Sequence, residues 1–404
     1  MLLIFSNDRF GFKSKYKLPP ERVEKLNCMN KIFSFALGFG MLTASNYVCA
    51  QNWQSKYHNN IAGWSQGDVD LDRFMGGKPK SDTASIVVSS MFSSHERCKK
   101  VKGVKYYYTG TEACIDYDFC KLNPEEHDRF HAQMYAQTIL NIYEKYARIA
   151  TAEKANELWS YYGRINNFHS DRAERYAKDF SESVSYGKDT EELEKRYAMS
   201  EKDLEGTEFD PVECANTFTE KGGVDINIGA AGNFQNTDVL VNTFGIDFGF
   251  GVYFNKKFFV CTDMQIETGG NAKREINTSK GVIEKGEKLN MCMISARFGT
   301  RAYNGSRVKL CPFLGLGFQG YYTTLNKDDN REKNGLQFNA GINIDFVLAK
   351  SVMLTGSQLF GHCSNYQILR LTPSVSYTYF RGIGKVASIN LALSYNLRSL
   401  KLRK

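Results

Sequence analysis

No run of 18 apolar residues occurs in the 404-residue chain, which excludes a protein that crosses a membrane on helices. A hydrophobic content of 42 % is too high for a disordered chain. The ten cysteines include no Cys-x-x-Cys pair, which argues against a zinc site of the common spacing. A Gly-Lys-Ser/Thr phosphate loop is absent too, so nothing suggests nucleotide hydrolysis. At about 100–200 residues per domain, the length fits two domains. The formal charge of +8 is unevenly spread: residues 1–50 carry +4, residues 51–220 carry −7 and residues 221–404 carry +11. Of the 34 glycines, 22 follow residue 220, so an acidic segment precedes a basic, glycine-rich one.

The first fifty residues carry an address. Asn30-Lys31 precedes the apolar stretch from Ile32 to Leu42, and Val48 and Ala50 occupy the −3 and −1 positions of a cleavage site after Ala50. This is the pattern of a secretory signal peptide over residues 29–50, and Gly38 and Gly40 disfavour the alternative of a buried helix. Residues 1–28 then read as a start assigned too early. Lipidation at Cys49 is disfavoured because Val48, which precedes it, is not small. Export makes disulfides the expected state of the cysteines among Cys98, Cys114 and Cys120, with Cys214 a candidate fourth member.

Residues 51–220 read as a small acidic, mainly helical domain. Residues 51–122 are polar and turn-rich. Asn123-Pro124-Glu125-Glu126 has an N-cap, a first-position proline and a capping glutamate, and predicts a helix start. Phe130, Met134, Tyr135, Ile139, Ile142, Tyr143, Tyr146 and Ile149 continue at helical spacing, and Trp159, Tyr161 and Tyr162 extend it. His127 and His131 fall four apart, a zinc-compatible spacing, but Asp128 stands where a zinc peptidase needs glutamate, so a solvated helix face is expected.

From Val224 the period changes to two. Phe244, Ile246, Phe248, Phe250, Val252 and Phe254 alternate with Gly245, Asp247, Gly249, Gly251 and Tyr253. The same alternation runs through segments near Val224, Val260, Leu310, Leu336, Leu369 and Ile389, each about the 9–11 residues of a tilted membrane strand. Short connections are expected at Asn255-Lys256-Lys257, Asn304-Gly305-Ser306 and Ala349-Lys350-Ser351, and long loops over residues 269–288 and 326–334. Nine strand-like segments can be counted. Because bacterial barrels have even numbers of strands, eight are expected, with ten the alternative. A soluble β-sandwich or lipocalin-like barrel would alternate as well, but with fewer wholly apolar faces.

On these residues the chain resembles a family. Phe244 to Phe254 with Asn255-Lys256-Lys257-Phe258, the strand ending Glu267-Thr268-Gly269, Leu289 to Met293 followed by Arg297-Phe298, and Lys309-Leu310-Cys311-Pro312-Phe313-Leu314-Gly315-Leu316-Gly317 resemble the small outer-membrane β-barrel proteins of Bacteroidetes, with an OmpA/OmpX-like barrel over about residues 223–404. Cys292 stands where that family has proline, and the sequence ends Leu400-Lys401-Leu402-Arg403-Lys404 instead of on an aromatic. The fold expected is an antiparallel transmembrane β-barrel over residues 221–404, preceded by the helical domain in the periplasm. Its lumen would hold a polar network of Asp225, Asp247, Asp263, Glu267, Arg297, Arg301 and Asp345, with Arg370 a further candidate, and oppositely charged members would pair.

The function expected is structural or interactive, with outer-membrane lipid and a periplasmic or outer-membrane protein as partners and no nucleic acid. The resemblance implies accessory subunits of secretion or uptake systems as one use. A narrow porin-like channel is the alternative. A lipid-A-modifying enzyme is the third reading, for which His362 is the one barrel histidine, without an acid near it in sequence. No catalytic residue, cofactor or metal is indicated.

Overall fold

The computed structural model describes residues 60–404 apart from 76, 78, 80–84, 158–160, 256, 324–330 and 358–360. The expected signal peptide, the early start, Cys49 and Trp159 therefore lie outside the described residues, as does most of the loop at 326–334.

The chain opens with β1 (Ile61–Gly63), β2 (Ile86–Val87), β3 (Ser90–Val101), β4 (Val104–Asp116) and β5 (Lys121–Leu122). The long hairpin of β3 and β4 turns at Lys102-Gly103, both at positive φ (48° and 82°), the geometry of a tight hairpin turn. Helices α1 (Arg129–Asn156), α2 (Tyr162–Ser183), α3 (Thr190–Leu204) and α4 (Pro211–Asn216) follow. Asp128, Asp189 and Asp210 cap α1, α3 and α4, accepting hydrogen bonds from the backbone N–H of His131, Glu192 and Val212 at 3.1, 3.1 and 2.8 Å. Helix α1 lies along the buried half of β4 and satisfies part of its edge with side chains. The N–H of Thr111 donates to Thr151 Oγ1 at 2.8 Å, and that of Ala113 to Glu144 Oε2 at 3.0 Å.

Three expectations for this region are corrected. A hairpin of 12- and 13-residue strands occupies the stretch read as turn-rich, because β3 faces water along most of its length and shows no apolar face. The first long helix starts at Arg129, since Asp128 caps it, while Asn123 and Glu126 close only a local turn through a 2.7 Å side-chain bond. Cys98, Cys114, Cys120 and Cys214, the cysteines expected in disulfides, are free thiols. Cys98 is exposed opposite Tyr107, whereas Cys114 pairs across the hairpin with Met91, so the strand register keeps the two apart.

Then come the barrel strands β6 (Thr219–Gln235), β7 (Thr243–Phe254) and β8 (Phe258–Asn271), the small hairpin β9 (Ile276–Thr278) and β10 (Gly281–Ile283), β11 (Lys288–Thr300) and the two-residue β12 (Tyr303–Asn304). The sheet is completed by β13 (Val308–Thr323), β14 (Glu332–Ser357), β15 (Gly361–Phe380) and β16 (Gly384–Arg403). Eight strands pair antiparallel in the order β6-β7-β8-β11-β13-β14-β15-β16, and β16 returns to β6 through Leu397↔Ile226 and Ser394↔Gly229. The sheet is a closed eight-stranded barrel, which leaves no place for the ten-stranded alternative. The outward residues are those read from the period of two, with Leu314 and Phe318 at 69 % and 67 % exposure.

One expected turn is absent. Ala349-Lys350-Ser351 lies inside β14, where a bulge between Val347 and Ala349 shifts the register against β15 and breaks the alternation. Beyond it β14 continues past the barrel wall, and Ser351, Val352 and Met353 pair in parallel with Lys105, Tyr106 and Tyr107 of β4. Val352, Leu354 and Leu402 pack there with Ala155 and Cys214, and the Tyr162 hydroxyl donates to the Leu354 carbonyl at 3.0 Å. The segment before the barrel is thus joined to its base by a shared sheet and a small apolar core.

Candidate functional site in the barrel lumen

Alternation sends every second side chain of the eight strands inward, and register decides which of them meet. Asp225 on β6 lies directly across from Arg398 on β16, and Asp345 on β14 directly across from Arg370 on β15. The four close into a ring. Arg398 Nε donates to Asp225 at 2.9 Å and its Nη2 to Asp345 at 2.5 Å, while Arg370 Nε donates to Asp345 at 2.6 Å and its Nη2 to Asp225 at 3.1 Å. Each guanidinium bridges both carboxylates. Arg398 is 1 % exposed, and its guanidinium lies over the Tyr253 ring, 4.5 Å from the centroid. Charges so buried cost free energy unless paired, and here the two of each sign are mutually compensated.

A second cluster lies on β7, β8 and β11. Arg297 pairs with Asp263 at 3.3 Å, and Asp247 accepts from Asn227 at 2.9 Å and Gln265 at 3.1 Å. Glu267 accepts from the Thr243 hydroxyl. Towards the loops, Gln319 Oε1 accepts from Thr378 at 2.7 Å, and Ser376 shares a 2.6 Å bond with Ser388.

Apolar layers lie at both ends of this polar column. On the loop side Leu240, Val241, Ile276, Leu289, Met291 and Phe380 form one buried cluster. On the other side Phe259, Cys311, Phe313, Tyr366, Ile368 and Leu400 form another, with Tyr253.

The seven predicted lumen residues are all buried, but they do not form one network. Asp225 and Asp345 belong to the ring, and Asp247, Asp263, Glu267 and Arg297 to the second cluster. Arg301 stands apart at the base, where its backbone N–H donates to the Lys257 carbonyl at 2.7 Å and its guanidinium lies over the Tyr253 ring, 4.8 Å from the centroid. Arg398 was missed by sequence reading, although it continues the inward series Asn390, Ala392, Ser394 and Asn396 by one more step of two. Tyr366 and Glu220, joined through the Tyr366 hydroxyl, were also missed.

The histidines do different work from that expected. His127 precedes α1 and meets Ser85 Oγ at 2.5 Å, whereas His131 reaches Asp128 at 2.6 Å and Glu194 at 3.3 Å. They share neither a helix face nor a partner. Burial lowers the pKa of His127, while the carboxylates beside His131 raise its own. His362 lies at the barrel base, edge-on to Phe218 at 5.3 Å, instead of at the loop rim where lipid chemistry would need it.

No family model matches the sequence, and no curated protein matches it. Among solved structures, the chain is similar to Ail, the attachment invasion locus protein of Yersinia pestis, at 17 % identity with a TM-score of 0.27, over 44 % of this chain and 99 % of that one. It is similar to Neisserial surface protein A at 12 % identity and a TM-score of 0.28, over 44 % and 95 %. The outer membrane protein OprG of Pseudomonas aeruginosa gives 10 % identity and a TM-score of 0.26, over 44 % and 96 %. These scores carry no argument about activity, and the barrel assignment rests on the closed strand pairing.

Proposed function

We propose that this is an outer-membrane β-barrel protein whose barrel is a sealed anchor and whose segment before the barrel works on the periplasmic side as a structural or interaction element. One observation carries the reading: a continuous apolar exterior surrounds a lumen crossed by a paired ionic ring between two apolar layers. An exterior of Phe, Leu, Ile and Val on a closed barrel suits lipid, and water would not favour so much exposed apolar surface. The resemblance of residues 223–404 to the Bacteroidetes barrels and the expected signal peptide support the same location. A periplasmic or outer-membrane protein partner fits the exposed face of α2. There Phe168 and Tyr176 stand out from the surface and Arg172 lies 5.7 Å from the Phe168 ring centroid, a combination of residue types common in recognition surfaces.

The test is fractionation of cells expressing residues 29–404, with gel mobility compared before and after boiling. An outer-membrane band that shifts on heating is the expected result, and a soluble, unshifted band would end the membrane reading. The porin-like alternative is separated by planar-bilayer recording, in which the sealed lumen is expected to give no conductance steps.

A further inference from the structure

The base of the lumen carries positive charge that its own residues do not balance. Arg301 is 8 % exposed, yet none of its three guanidinium nitrogens has a hydrogen-bond acceptor among the described residues. Lys309, also buried, holds its ammonium 4.3 Å from the Tyr366 ring centroid, with no carboxylate of the described residues within ion-pair distance. The bond from the Ala302 N–H to the Leu310 carbonyl, at 2.9 Å, ties the Arg301 segment to β13 beside Lys309. Lys350 lies 5.1 Å from the same Tyr366 ring centroid and 3.5 Å from Glu220. Among the described residues Glu220 is thus the one carboxylate facing Arg301, Lys309 and Lys350, since the ring carboxylates Asp225 and Asp345 are already paired with Arg370 and Arg398. Beneath these groups opens a mouth of about 880 Å³, whose charged lining is Lys102, Arg307, Lys309 and Lys350 against Glu220 alone.

We propose that this base is a binding site for a phosphate-class oxyanion, held between Arg301 and Lys309 and entered through the basic mouth. Three cations against one carboxylate leave a surplus of two, which matches the charge of a phosphate near neutral pH better than that of a single carboxylate. Its tetrahedral oxygens would take the guanidinium and ammonium donors that have no acceptor now, and such charge-assisted bonds offset the cost of burying unpaired cations. Phosphate on a lipid headgroup and phosphate on a soluble compound share these tetrahedral oxygens, the phosphodiester carrying one negative charge and the monoester nearly two.

The experiment uses the full chain folded in zwitterionic micelles and follows the midpoint of its heat-induced gel shift. Millimolar inorganic phosphate is expected to raise the midpoint by about 3–6 °C over chloride at equal ionic strength, because a ligand that binds only the folded state stabilises it. The rise is expected to vanish in Arg301→Gln and in Lys309→Gln, and to persist in Lys285→Gln on an exposed outer loop. Line broadening of the phosphate signal by phosphorus NMR at ambient temperature gives a second readout if a variant does not fold. Equal shifts in chloride and phosphate, or an undiminished phosphate response in both base variants, would overturn the proposal. Nanodiscs of phosphatidylcholine with and without phosphatidylglycerol separate the sources. A phosphate response suppressed by phosphatidylglycerol assigns the site to a headgroup, and one that persists in both assigns it to a soluble phosphate compound. Cell fractionation reads neither outcome, so the site and the membrane location can fail independently.

Discussion

Asp225 and Arg398 face each other across the seam where the last barrel strand meets the first, with the carboxylate 2.9 Å from Nε. The pair therefore joins the two ends of the barrel sequence as well as two charges. Asp225→Ala leaves the Arg398 and Arg370 guanidiniums each short of an acceptor in a buried site, and is expected to cost about 3–5 kcal/mol. The double change Asp345→Leu with Arg370→Leu removes one charge of each sign and is expected to cost less than Asp345→Leu alone. Urea titration read by the unshifted and shifted gel bands checks both, and the ordering of the double against the single is the decisive comparison.

The docking of the segment before the barrel is expected to be separable from barrel closure, because its junction lies where β14 has left the ring. Leu354 is fully buried where β14 has left the ring. Leu354→Asp is expected to destabilise that junction by about 3 kcal/mol or more through a buried, unpaired charge. Limited proteolysis is then expected to cut near residues 205–218 while the heat-shifted band remains. Simultaneous loss of the band would mean that barrel and junction fold as one cooperative unit.

Lys154 is 1 % exposed and donates to Ser94 Oγ at 2.9 Å and to Thr111 Oγ1, with no carboxylate partner among the described residues. Burial pushes its pKa down to about 8 from an ordinary 10.5. Between those values the unfolded chain binds the extra proton, so this group makes folding more favourable as pH rises from about 8 to 10.5. Below pH 8 the full penalty is present, about 3 kcal/mol at 1.4 kcal/mol per unit. Lys154→Met is expected to stabilise the segment at pH 7 and to flatten this part of its pH profile. Denaturant titration followed by tryptophan fluorescence at the two pH extremes measures the difference.

The cysteines offer a direct chemical check. Cys98 is exposed, whereas Cys114 and Cys120 are buried and burial pushes each thiol up to about 11. Maleimide is expected to label Cys98 in the native protein at pH 7, and Cys114 and Cys120 only after denaturation, without a reductant. Labelling of the buried pair that requires a reductant would establish a disulfide instead.

Much of the barrel was legible because each wall strand has one face towards an apolar surrounding and one towards a crowded lumen, so Phe244 to Phe254 could be sorted residue by residue. Legibility ended where that asymmetry ends. The hairpin of β3 and β4 has water along much of one strand, and its sequence from Ser90 to Val101 alternates nothing apolar. The bulge at Val347 and Ala349 displaced the period by one, and a strand leaving the wall resembled a turn. Asn123 offered a cap five residues before Asp128, and the helix starts at the later one, where the Asp128 carboxylate accepts from the His131 N–H. In the lumen, the sequence identifies which residues face inward but not how far apart they are along the axis. Register determines that Asp225 meets Arg398, and that Arg301 forms no ion pair among the described residues.

The parallel splice between β4 and β14 also determines how the molecule carries load. A pull on the helices would reach the barrel by two routes, through the chain into β6 at Thr219 and through the pairing of Lys105 to Tyr107 with Ser351 to Met353 of a wall strand. Any partner gripping the helices would therefore act on the barrel as through a stiff strut, whereas a free linker would absorb the same pull as slack.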